Sequence, residues 1–138
     1  MTRILNSTFL FSILFTALSW ARPAEQPTRF EAVNPAGAPV SVVPAGHLDG
    51  TKPFRLKFRL TNTSKEFLPW VELTASVFRP NGELKGFHSF VVNTNLRAGQ
   101  ERFFHYSTTT FEIEPADRVQ IGASLVRLSS RAWSPPAQ

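Results

Sequence analysis

The stretch Val71-Glu72-Leu73-Thr74-Ala75-Ser76-Val77-Phe78-Arg79-Pro80-Asn81-Gly82 decides the fold. Val71, Leu73, Ala75 and Val77 fall on one side of an extended chain and Glu72, Thr74 and Ser76 on the other, which is the period of a strand with one buried face. Phe78 continues the outward set. Pro80 presets φ at the corner, and Asn81-Gly82 supplies residues that tolerate positive φ. The expectation is a type I turn closed by a glycine bulge, joining two antiparallel strands.

A second alternation precedes it, with Phe54, Leu56, Phe58 and Leu60 on one face and Arg55, Lys57 and Arg59 on the other. Further runs read as strands: an edge strand between Pro39 and Pro44, a return strand from Leu84 to Val92 with a bulge at Gly86, Arg102 to Thr109, and Val119 to Leu128 as the closing strand. Residues 45–53 and 93–100 read as connections. No stretch has a helical period. About seven short strands at regular spacing predict an all-β fold, a single immunoglobulin-like antiparallel β-sandwich over residues 39–128. Residues 22–38, with Pro23, Pro27, Pro35 and Gly37, read as a proline-rich leader holding at most a short strand at Phe30 to Val33, and residues 129–138 as a flexible tail.

The first 21 residues have the character of a secretory signal peptide. Arg3 supplies the positive end, Phe9 to Leu18 the short apolar run, and Ser19-Trp20-Ala21 places small residues, Ser19 and Ala21, at the two positions a signal peptidase reads. That run is well short of the ~20 residues that span a bilayer. A secreted or periplasmic protein is expected, with no transmembrane segment after cleavage. The chain contains no cysteine. Its stability must then come from the apolar core alone, in an environment where small domains often rely on disulfides. The net charge is +5, which favours weak attraction to anionic surfaces but does not specify a partner.

Catalytic patterns are not apparent. His47, His88 and His105 are scattered, no His-Glu-x-x-His or Cys-x-x-Cys spacing occurs, and Ser124 lacks the Gly-x-Ser-x-Gly elbow. His88 and His105 could meet across neighbouring strands, without a third ligand. Glu112-Ile113-Glu114 reads as a solvated strand end. The sequence therefore predicts a non-enzymatic protein with no metal or cofactor.

Binding features are easier to find. Arg55, Lys57 and Arg59 project together and span about 13 Å at the usual rise of a strand. They form either a solvated outer face or a contact for an anionic partner. Nucleic acid is disfavoured, because single-strand binding uses aromatic platforms beside the cations and the alternation puts the aromatic residues of this strand on its other face. Phe78 faces outward, and adjacent Phe103 and Phe104 cannot both point inward from a regular strand. The aromatic surplus is thus covered by loops or exposed as a docking patch. Asn62-Thr63-Ser64 fits a glycosylation sequon, and in a bacterial protein it would be only a turn with Asn62 bonding nearby backbone.

The order Asn62-Thr63-Ser64, then Val77-Phe78-Arg79-Pro80-Asn81-Gly82, then Leu96-Arg97-Ala98-Gly99-Gln100 leading to Phe104, resembles the FxLyD type of extracytoplasmic immunoglobulin-like domain. Arg79 stands where that family usually has Asp, Ala98 where it has Pro and Gln100 where it has Glu. The resemblance spans roughly residues 54 to 128 and implies a binding or scaffolding module with no shared catalytic residues. The expected function is contact with another macromolecule, a protein partner above all. The alternative is electrostatic retention on anionic envelope material. The candidate binding residues are Arg55, Lys57, Arg59 and Phe78.

Overall fold

The two alternating segments lie in different sheets and bury their apolar faces against each other. The computed structural model describes residues 28–48, 54–108 and 112–137; the expected signal peptide lies outside them. The strands are β1 (Arg29–Val33), β2 (Val40–Leu48), β3 (Phe54–Asn62), β4 (Leu68–Phe78), β5 (Leu84–Leu96), β6 (Glu101–Thr108), β7 (Arg118–Arg127) and β8 (Ala132–Trp133). The larger sheet has the order β1-β7-β4-β5 with β8 also on β7, and the smaller one the order β2-β3-β6. Among the described residues there is no helix, and so none long and apolar enough to cross a membrane.

Val71, Leu73, Ala75 and Val77 of β4 are buried against Leu56, Phe58 and Leu60 of β3, with Val119, Ile121 and Val126 of β7 alongside. Full burial of each large apolar side chain contributes about 1.5–3 kcal/mol. This two-layer core is the fold's main source of stability.

The hairpin after β4 forms as its residues demand. The Gly82 amide donates to the Arg79 carbonyl and the Arg79 amide to the Glu83 carbonyl, both at 2.8 Å. Gly82 takes φ +89, a left-handed conformation that costs a glycine nothing. Lys85 drops out of the register, since Val77 faces Gly86 and Phe78 faces Leu84. Asn81 Oδ1 accepts the Glu83 amide at 2.9 Å. Arg79 pairs with Glu83 at 3.2 Å.

Three segments depart from the expected seven antiparallel strands, giving eight strands with one parallel pair among the described residues. β1 joins β7 in parallel, Arg29 facing Arg118 and Val33 facing Gly122, so part of the expected leader belongs to the larger sheet. Phe30 and Ala32 pack on the core, and a side chain at Gly122 would sit 3.1 Å from the Val33 carbonyl. β7 is consequently an interior strand rather than the closing one. β2 runs past Pro44 to Leu48, because an edge strand tolerates proline and a bulge between Pro44 and Gly46 absorbs it. Finally, the expected flexible tail contains β8, with Trp133 opposite Val126 and packed against the core.

A polar junction closes the end where β4 begins. Asn62 is fully buried. Its Nδ2 donates to the Glu66 and Leu96 carbonyls at 2.7 and 3.0 Å, and its Oδ1 accepts the Ser64 amide and hydroxyl at 3.0 and 2.7 Å. The sequon asparagine is therefore sealed inside the folded protein. Glu66, next along, accepts hydrogen bonds from the Ser129 hydroxyl, the Ser130 amide and hydroxyl, and Arg131 Nε. The Ser130 hydroxyl, followed by Arg131, holds the Glu66 carboxyl at about 2, against an ordinary 4.5. The turn after β5 is tied to the same junction, as the Gly99 amide donates to the Asn62 carbonyl at 2.8 Å. Gln100 Oε1 accepts the Arg97 amide at 3.0 Å.

Candidate functional site

The strand β3 sits in the middle of the smaller sheet, and its alternation sends Leu56, Phe58 and Leu60 inward and Arg55, Lys57 and Arg59 outward. Antiparallel pairing with β6 then decides what lies beside the cations. Arg59 faces Phe103, Lys57 faces His105 and Arg55 faces Ser107. Directly opposite residues share a face, so Phe103 and His105 stand on the cationic side. Phe103 is 52% exposed, and the Lys57 ammonium lies 4.9 Å from its ring centroid. That distance is within the range of a cation–π contact. On the other flank, Val43 of β2 faces Arg59.

Arg59 is only partly engaged. Its Nε lies 3.6 Å from Glu101 Oε2, close enough for ion pairing but too long for a hydrogen bond. The same Nε is buried and makes no hydrogen bond. Glu101 also accepts the Thr61 hydroxyl at 3.4 Å. The face thus carries three cations, one exposed aromatic ring, an exposed histidine and a carboxylate at one end.

The sequence expectation that no aromatic ring accompanies these cations is overturned. Phe103 belongs to another strand, about which the alternation of β3 carries no information. The signal is present in the Phe103-Phe104 pair, one of which has to face outward. Phe104 turns inward instead, stacked on Phe58 with centroids 6.2 Å apart.

Phe78 is not part of this face. It lies on the outer side of the larger sheet, opposite Arg118, whose guanidinium carbon sits 4.9 Å from the ring centroid. Of the four candidate binding residues, the fold brings Arg55, Lys57 and Arg59 together and leaves Phe78 on the far side of the sandwich.

His88 and His105 do not meet. His88 of β5 points between the sheets, its Nδ1 2.8 Å from the Tyr106 hydroxyl, while His105 faces out from the smaller sheet. Neighbouring positions on β6 alternate, which separates Tyr106 from His105. The side chain of His47 lies outside the described residues. Phe90 stacks on Tyr106 with centroids 4.0 Å apart, making the His88 pocket a packed seam between the layers. Ser124 donates to Glu72 Oε1 at 2.8 Å. Among the described residues, no three His, Cys, Asp or Glu side chains converge as a metal site. Comparison of the chain with protein-family models, curated proteins and solved structures gave no match.

Proposed function

We propose that this chain is a secreted or periplasmic, non-enzymatic binding module with an immunoglobulin-like sandwich of the FxLyD type, which engages a protein partner through the outer face of its smaller sheet. The observation that carries this reading is the placement of Phe103 among Arg55, Lys57 and Arg59. An exposed aromatic ring in a rim of cations is the composition of an interface rather than of a merely solvated sheet face, since aromatic and arginine side chains are enriched at protein contacts. The complementary partner surface is acidic. The ring also favours a protein over a purely electrostatic hold on anionic envelope material, because Lys57 and Arg59 already have Phe103 and Glu101 beside them and a ring adds contact that salt does not screen.

The test is capture from the native envelope fraction on immobilised mature protein, comparing wild type with R55Q/K57Q/R59Q and with Phe103→Ala. Both variants should lose the same partner band, and thermal unfolding should show each of them still folded, with the exposed Arg55 contributing no more than about 0.5 kcal/mol to any change. Loss in the triple variant with full retention in Phe103→Ala would support the electrostatic alternative. Retention in both would remove this face from the function.

A further inference from the structure

Four edges border the two sheets, and three of them carry features that discourage further pairing. β2 is broken by Pro44 and its bulge. The edge of β7 is divided between β1, with 5 residues, and β8, with 2. β6 places Glu101, Arg102 and His105 along its 8 residues. Proline, bulges, charge and short length are the usual means of blunting an edge.

β5 has none of these over most of its length. It is the longest strand, with 13 residues, and among the described residues its only ladder is with β4. From Gly86 to Asn93 that ladder has no register shift. The segment Gly86-Phe87-His88-Ser89-Phe90-Val91-Val92-Asn93 contains no Asp, Glu, Lys, Arg or Pro, the composition of a strand that templates another. Phe87 and Val91 point away from the core and are 64% and 57% exposed, with Ser89 between them.

We propose that β5 is a homodimer interface, through which two copies of this chain pair edge to edge and antiparallel about a two-fold axis at Ser89. The side chains select the register. Centring on Ser89 sets Phe87 against the partner's Val91 and Val91 against the partner's Phe87, so that the two most exposed apolar side chains of β5 meet each other. Centring on Phe87 would leave Val91 opposite the partner's Glu83, and centring on Val91 would leave Phe87 opposite the partner's Asn95. Lys85, which lies outside this regular ladder, pairs with Asp117 and Glu114 of its own chain and so brings no like-charge pair to the Ser89 register. It is this self-complementarity that favours a second copy over a foreign strand.

The axis lies perpendicular to the larger sheet, which becomes continuous across the two protomers. Both smaller sheets then lie on one side, and their Arg55, Lys57 and Arg59 faces point the same way. Such a dimer presents two binding faces at once, which strengthens capture of a multivalent partner. The dimer itself stands independently of the proposed partner.

Sedimentation velocity of the full chain should show a concentration-dependent species of twice the protomer mass. F87K/V91K brings lysine against lysine at two places and should be monomeric, while F87E/V91K brings glutamate against lysine and should restore the dimer. Because the native chain has no cysteine, Ser89→Cys should form a disulfide-linked dimer on mild oxidation. Ser76→Cys, on the same outer face but one strand inward, should not. Thermal unfolding confirms that each variant is folded. A wild-type monomer up to the solubility limit, a dimer surviving F87K/V91K, failure of F87E/V91K to restore it, or open-ended growth in place of a closed pair would each overturn the assignment.

Discussion

The two turns at either end of β4 use asparagine in opposite ways. Asn62 is fully buried and makes four side-chain hydrogen bonds, three within the 63–66 turn and one that ties it to the Leu96 carbonyl at the end of β5. Asn81, roughly 33 Å away at the rise of a strand, is exposed and makes one local bond to the Glu83 amide. Both read as turn residues in the sequence. The difference teaches that turn chemistry fixes local geometry, whereas burial turns the same amide into a long-range fastener between elements far apart in the chain.

The strongest way to break this comparison is Asn62→Ala. It leaves the buried Leu96 carbonyl and the half-buried Ser64 amide without this partner, and each buried polar group left unpaired costs about 1–3 kcal/mol. A loss of roughly 2–4 kcal/mol is expected on that basis, read from urea unfolding. Asn81→Ala, which loses a solvent-accessible bond, should stay within about 0.5 kcal/mol. Equal losses in the two variants would mean that burial does not distinguish the turns.

Next in size is Gly82→Val at the exposed end. The space around Gly82 is open, with no atom within 4 Å of the place a Cβ would occupy, so the only cost is backbone strain at φ +89. A β-branched residue forced into that region costs about 1–3 kcal/mol. Thermal unfolding that shows no change would mean the turn relaxes into another type, and that the hairpin end is more plastic than its hydrogen bonds suggest.

These two turns also show what a sequence discloses. The alternation in residues 54–60 and 71–78 reveals both inner faces, because a period of two depends only on neighbours along the chain. The Gly82 conformation follows from the same local logic. What alternation does not reveal is which strands lie side by side. It therefore leaves Phe103 unplaced relative to Arg59, and gives no sign that the turn asparagine Asn62 is fully buried and bonded to Leu96. The parallel seat of β1 and the pairing of Trp133 with Val126 are hidden for a like reason: five residues and two residues are too short to show a period, and both strands are held by β7. Pro44 reads as the end of a strand, although an edge strand with a bulge accommodates it. Arg55, Lys57 and Arg59 are legible because they belong to one strand; the rest of their face comes from another.

Acid unfolding sharpens the comparison most finely, because Glu66 lies at the Asn62 end. Its carboxylate is held at about 2 by Ser130 and Arg131, against an ordinary 4.5. A carboxyl whose pKa is lower in the folded state than in the unfolded one binds fewer protons when folded. Its contribution to stability is therefore complete above the unfolded value and is lost as pH falls toward the folded value. Glu66→Gln removes this dependence while keeping the shape of the side chain. The melting temperature of wild type should exceed that of Glu66→Gln at neutral pH, and the gap should close between about pH 4.5 and pH 2 as the carboxylate takes up its proton. A gap that persists unchanged to the acid end of that window would show that the charge of Glu66 has no part in closing the buried turn, and equal melting temperatures at neutral pH would show that β8 and residues 129–131 are held by packing of Trp133 alone.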